Sequence, residues 1–74
     1  MNHYQKILYE LRIDGDYKQE DIAKVLQITK QAYGHYENGK RQLPIEHLIK
    51  LCEFYNVSAD YLLGLREGLP YPKR

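Results

Sequence analysis

The stretch QEDIAKVLQITKQAYGHYENGKR, residues 19–41, decides the fold. Its apolar positions are Ile22, Leu26, Ile28, Tyr33 and Tyr36, with small Ala23 between the first two. Ile22, Ala23 and Leu26 recur at the spacing of one helical face. Glu20 and Asp21 fall in the first turn of that helix, where its dipole favours negative charge. The spacing predicts a helix from about Gln19 to Leu26. Lys18 is a poor N-cap for it, and Asp16, the better chemical choice, sits two residues early. Thr29 is a good N-cap for a following helix, Lys30 to about Asn38. Asn38-Gly39 is a strong stop, because both residues tolerate the left-handed conformation. Only Gln27-Ile28-Thr29 separates the two helices, and so short a turn forces a steep crossing. Ala23 supplies the small side chain at the contact, and Ile28 plugs the gap in the turn. With Tyr33 and Tyr36 facing the core, Lys30, Gln31, Gly34 and His35 point outward. Exposed Lys and Gln at a helix start are the groups that reach base edges when that helix enters a major groove.

Helical periodicity extends in both directions. Tyr4, Ile7, Leu8 and Leu11 form one apolar stripe. Asn2 is placed to cap that helix, with Gln5 three residues later as a capping box requires, and Asp14-Gly15-Asp16 ends it. Downstream, Pro44 suits the first position of a fourth helix, with Ile45, Leu48, Leu51, Cys52 and Tyr55 as its core face. Asn56-Val57-Ser58 breaks it. Ser58 can cap a short fifth helix ending at Gly64, and residues 65–74, with Gly68, Pro70 and Pro72, form a short tail. No strand alternation, internal repeat or linker interrupts the pattern. The fold expected is all-α: a compact five-helix bundle over residues 1–64 containing a helix-turn-helix.

Composition narrows the function classes. Seventy-four residues suffice for one small domain with a limited core and little room for an enclosed cofactor pocket. One Cys excludes an internal disulfide framework. No signal-peptide core and no run approaching about 18 apolar residues is present, so a cytoplasmic protein without membrane contact is expected. Net charge is only +1. It is unevenly spread: residues 1–29 carry four Lys/Arg against five Asp/Glu, residues 30–41 carry three against one, and residues 42–74 carry four of each. The positive excess therefore lies on the segment that would face DNA, although three charges are a weak electrostatic footprint.

The chain resembles the phage-repressor and Cro-type helix-turn-helix family, often called XRE-like. The resemblance rests on residues 19–41 together with LPIEHLIKLCEFYNVSADYLLG, residues 43–64. Its marks are the Gln-x-x-φ-Ala opening, the Tyr-Glu-Asn-Gly-Lys-Arg close and the Asn-Val-Ser-x-Asp-Tyr-Leu-Leu-Gly ending, in that order. The resemblance implies a repressor-like bundle whose third helix reads double-stranded DNA. It implies that Lys30, Gln31 and His35 read bases, and that Gln19 touches a phosphate and braces the third helix. Asn38, Lys40 and Arg41 match the loop that grips phosphates, and Thr29 joins this positioning group at the helix start. Glu37 looks structural, with Arg12 as the candidate partner. Two departures stand out. Gln27 occupies the turn position usually held by Gly, and must take a left-handed conformation at a cost of roughly 1 kcal/mol. His35 stands where Arg is common, which alters the base preference expected there.

Other readings of these residues are structural. Lys30, Gln31 and His35 can be a solvated face. The eight Tyr residues can suggest base stacking on single strands, but most fall at core spacings, Tyr9 and Tyr71 less clearly. Cys52 lies on an apolar face and reads as core. His3, His35 and His47 make no metal-ligand pattern, and the carboxylates Glu10, Asp14, Asp16, Glu20 and Asp21 read as a solvated edge. No nucleophile, base and oxyanion group converge, so no enzyme, cofactor or small-molecule ligand is expected. The function expected is a sequence-specific transcriptional regulator, a repressor. The alternative is an antitoxin or protein-interaction module on the same fold. A homodimer on an inverted repeat is expected, through Tyr61, Leu62, Leu65 and Leu69 with Pro70 and Tyr71.

Overall fold

The computed structural model describes residues 3–65, and the side chain of His3 lies outside what it describes. Five helices follow one another: α1 (His3–Asp14), α2 (Gln19–Leu26), α3 (Lys30–Glu37), α4 (Ile45–Tyr55) and α5 (Ala59–Leu63). No strand occurs among the described residues. The core gathers one stripe from each helix: Ile7 and Leu8 from α1, Ile22, Ala23 and Leu26 from α2, Tyr33 and Tyr36 from α3, Leu51 from α4 and Leu62 from α5. Tyr4, Leu11, Ile28, Leu43, Leu48, Cys52 and Tyr55 close around it, half-buried. α1 packs on α3 and α5, and α2 packs on α3 and α4. The recognition-helix candidate is thus held from two sides.

Each boundary has a local cause. At the start of α2, Lys18 offers no acceptor. Instead the Asp21 carboxylate reaches back to accept the Lys18 backbone N–H at 2.8 Å. Asp16 is no cap: it takes a left-handed φ of 60° in the turn that ends α1. Gln27 closes α2 in the left-handed conformation, φ 58° and ψ 43°, as the short turn demands. The Thr29 hydroxyl accepts the Ala32 N–H at 3.1 Å and the Ser58 hydroxyl accepts the Tyr61 N–H at 3.1 Å, so both caps form as the sequence predicts.

The Asn38-Gly39 stop forms, with Gly39 in the left-handed conformation at φ 85° and Asn38 outside it at φ −92°. The missing Cβ of Gly39 is needed, since one would stand 2.9 Å from the buried Gln5 amide nitrogen. Gln5 therefore seats the loop after α3, while its expected capping partner Asn2 lies outside the described residues. Three other expectations, at Pro44, Ile45 and Leu62, need correction. Pro44 is the residue before α4, extended at ψ 150°, and the helix begins at Ile45. Ile45 is not core but 72% exposed, and Ile49 beside it is 54% exposed. Leu62 is fully buried and belongs to the core, so it cannot serve an intermolecular contact. Leu69, Pro70 and Tyr71 fall outside the described residues, leaving Tyr61 and Leu65 as the exposed members of that group.

Candidate nucleic-acid interface

The inner side of α3 is fixed by a polar network as well as by its two buried tyrosines. Glu37 is buried, and Arg12 from α1 donates to it twice, Nε to Oε2 at 2.6 Å and Nη2 to Oε1 at 3.1 Å. This two-point geometry is the strong form of the ion pair. Arg12 also donates to the Tyr17 carbonyl at 3.1 Å, which ties the α1–α2 turn to the same carboxylate. Gln19, the first residue of α2, donates Nε2 to Glu37 Oε1 at 3.4 Å. One carboxylate thus links α1, α2 and α3, with the partner expected for it. The hydrogen bond that Arg12 donates to Glu37, and the charge of that carboxylate, raise the Arg12 pKa against the opposing effect of burial.

Tyr33 and Tyr55 lie beneath this network. Burial, and then the Glu37 carboxylate, push both phenols far above their usual titration range. Both hydroxyls are buried without meeting hydrogen-bond geometry. Cys52 is half-buried, and its thiol is raised by burial first and by Glu53 second, the behaviour of a packing residue rather than a nucleophile. Of the other tyrosines, Tyr9, Tyr17 and Tyr61 are exposed, so fewer pack than their spacing suggests. Tyr17 meets Phe54 with the two rings tilted at 55°, centroids 5.2 Å apart. Nothing in the sequence marks that pairing, which joins the α1–α2 turn to the end of α4.

The outer side of α3 is different. Gln19, Lys30, Gln31, Gly34, His35, Asn38 and Lys40 line one shallow concavity of about 380 Å³. The structure brings together six of the eight residues singled out from sequence. The Gly34 backbone forms part of its floor, and the Gln19 side chain lies across it: a Cβ at Gly34 would stand 3.4 Å from Gln19 Oε1. Lys30 and Gln31 are exposed, and His35 is half-buried. Asn38 uses its Oδ1 to accept the Lys40 N–H at 3.2 Å, which holds the loop turned back beside the helix. Thr29 and Arg41 flank the concavity. Thr29 is occupied in capping α3, and the Arg41 N–H bonds to the His35 carbonyl at 3.2 Å while its side chain stays exposed. The surface offers amide, imidazole and ammonium groups, and no carboxylate lines it among the described residues. These groups donate hydrogen bonds to phosphates and base edges. No cluster of metal-ligating residues occurs among the described residues, and no described helix is long and apolar enough to cross a membrane.

Residues 8–62 match the family described as helix-turn-helix. The chain belongs to that family. It is 37% identical over 70 residues to the HTH-type transcriptional regulator YobD of Bacillus subtilis, covering 95% of this chain and 62% of that protein. It is 40% identical over 62 residues to the HTH-type transcriptional regulator ImmR of the same organism, covering 84% and 49%. To the cryptic phage CTXphi transcriptional repressor RstR of Vibrio cholerae it is 35% identical over 55 residues, covering 74% and 50%. The chain therefore spans between about half and three-fifths of the length of these relatives. The fold is shared with a transcriptional regulator from Listeria innocua, TM-score 0.85 over 97% of this chain and 67% of that one, at 24% identity.

Proposed function

We propose that this helix-turn-helix chain is a sequence-specific reader of double-stranded DNA that represses transcription, with α3 lying in the major groove. The observation that carries the reading is the contrast between the two sides of α3. Its inner side is locked by Tyr33, Tyr36 and the Arg12–Glu37 pair, while its outer side presents Lys30, Gln31 and His35 beside Gln19, Asn38 and Lys40. Lys30, Gln31 and His35 contact base edges. Gln19, Asn38, Lys40 and Arg41 contact phosphates, and Thr29 sets the helix start. Relatives named as transcriptional regulators, one of them a phage repressor, support the assignment. A reader of this kind works where the DNA is, in the cytoplasm.

A single recognition helix covers only a few base pairs, too few to select one genomic site. The reading therefore includes a homodimer on an inverted repeat, with two α3 helices about 34 Å apart along one groove face. Residues 1–64 form the DNA-binding unit, and Tyr61 and Leu65, exposed at its end, favour a protein contact there with the tail that follows. The same apolar side chains favour, as a second reading, a partner-binding module such as an antitoxin.

Selection of bound duplexes from a random pool tests the proposal, followed by sedimentation of the protein with and without the selected site. A two-fold symmetric site, a 2:1 complex and binding that weakens steeply with salt are expected. A saturated 1:1 complex on an asymmetric site overturns the dimer. Failure to enrich any duplex overturns DNA reading in favour of the partner module.

A further inference from the structure

Among the side chains lining the concavity, one has two hydrogen-bonding forms. Lys30 and Lys40 carry ammonium groups, Gln19, Gln31 and Asn38 are neutral amides, and His35 carries an imidazole, a ring that exists as a neutral form or as an imidazolium. The charged side chains that line the concavity with His35 are Lys30 on the same helix and Lys40 on the following loop, and the backbone N–H of Arg41 bonds to the His35 carbonyl at 3.2 Å. Glu37, the nearest carboxylate along α3, is buried and engaged twice by Arg12 from the opposite side. No carboxylate lines this surface among the described residues.

A duplex changes that balance. It brings a dense row of phosphates to Lys40, Asn38 and Gln19, and acceptor atoms to the outer face of α3. A neutral imidazole offers one donor and one acceptor, while the imidazolium offers two donors. Guanine presents only acceptors, N7 and O6, on its major-groove edge. The geometry points to His35 reading its base pair as an imidazolium, so that DNA binding takes up a proton and guanine is preferred at that pair as pH falls. This inference rests on the DNA-reading function proposed above. His35 then acts as a specificity-determining residue whose preference depends on pH, where a permanently charged residue would hold one preference throughout.

The test compares wild type, His35→Gln and His35→Lys on the selected duplex and on duplexes substituted at each base pair, at pH 6 and pH 8. Helical content and thermal unfolding are checked for all three. Wild-type affinity should rise as pH falls, approaching tenfold per pH unit where one whole proton is taken up. Its salt slope should steepen by up to about one unit at the lower pH. His35→Gln should lose this dependence and keep only what the rest of the protein contributes. His35→Lys should show the low-pH guanine preference at both pH values. Equal pH dependence in wild type and His35→Gln overturns the inference, as does a pH effect of the same size on every duplex. Binding of the selected site without pH dependence overturns this inference alone. Absence of duplex binding by wild type at either pH overturns DNA reading with it.

Discussion

The α2–α3 half of the molecule and the α4–α5 half are built from similarly apolar helices used differently. In α2 and α3, Ile22, Ala23, Leu26, Tyr33 and Tyr36 are all buried, and every fully exposed residue is polar. In α4 and α5, Leu51 and Leu62 are buried, but Ile45, Ile49, Phe54 and Tyr61 stay exposed, as does Leu65 just past α5. The first half satisfies its own hydrophobic demand and leaves a polar surface for a polyanion. The second half retains apolar surface that the monomer does not cover. A surface of the first kind suits DNA, and one of the second kind suits protein.

The largest effect expected on this division is from Glu37→Ala. The substitution leaves Arg12, half-buried against α3, without its carboxylate, and frees Gln19 from its brace. Removing one partner of a buried ion pair costs on the order of 3–5 kcal/mol. Chemical denaturation should register that loss, and the polar half should lose DNA binding with it. A loss below about 1 kcal/mol would show that the tyrosines alone position α3.

Next comes Gln31→Ala, with about 1–3 kcal/mol lost in specific binding and relaxed preference at one or two base pairs. Lys40→Ala and Arg41→Ala should weaken binding to all duplexes alike, each lowering the salt slope by about one unit. Titrations on the selected and a scrambled duplex separate the two behaviours. Unchanged selectivity for Gln31→Ala removes it from the reading surface, and unchanged slopes for both loop variants remove the loop from the backbone contact.

The two halves were unequally legible from sequence, and the reason is physical. Residues 19–41 alternate strongly between apolar and charged or amide positions, so each helix has one possible inner stripe. The Thr29 cap follows from that arrangement, whereas the left-handed Gln27 and the Arg12–Glu37 pair were expected from the family resemblance. In α4, Ile45, Leu48, Ile49, Leu51, Cys52, Phe54 and Tyr55 leave more than one apolar stripe, and spacing alone cannot choose among them. Spacing therefore assigns Ile45 inward, whereas the structure turns Leu48, Leu51 and Cys52 onto the core and leaves Ile45 exposed. The concavity around Gly34 was legible only as a list of outward residues. The lay of Gln19 across a glycine depends on a contact between two helices that no spacing records.

A smaller effect is expected at the turn joining the two helices of the motif. Gln27 holds φ 58°, a conformation that costs a residue with a Cβ about 1–2 kcal/mol. Gln27→Gly should relieve part of that cost, offset by the greater chain entropy of glycine when unfolded. A net gain of roughly 0.5–1 kcal/mol is expected, read as a higher denaturation midpoint with unchanged DNA selectivity. A loss would mean that the exposed Gln27 side chain makes a stabilising contact of its own.

The smallest effect bears most directly on the α4–α5 half. Ile45 and Ile49 stand one turn apart on α4, 72% and 54% exposed, so the folded monomer gains little from their burial. Exposed substitutions away from caps and networks change stability by less than about 0.5 kcal/mol. Ile45→Ser and Ile49→Ser should each fall within that range in dilute protein. Leu51→Ala, on the same helix but fully buried, should lose about 2–5 kcal/mol through its cavity. The contrast depends on concentration if this face meets protein. Association shifts unfolding by mass action, so the serine variants would fall behind wild type as concentration rises. Unfolding midpoints measured over a hundredfold range of protein concentration give the answer. Parallel lines for wild type and variants would show that the exposed isoleucines are ordinary surface residues. Divergence confined to high concentration would assign them to an interface. A large loss for Ile45→Ser even in dilute protein would break the comparison itself, because Ile45 would then belong to the core that the sequence pattern first suggested.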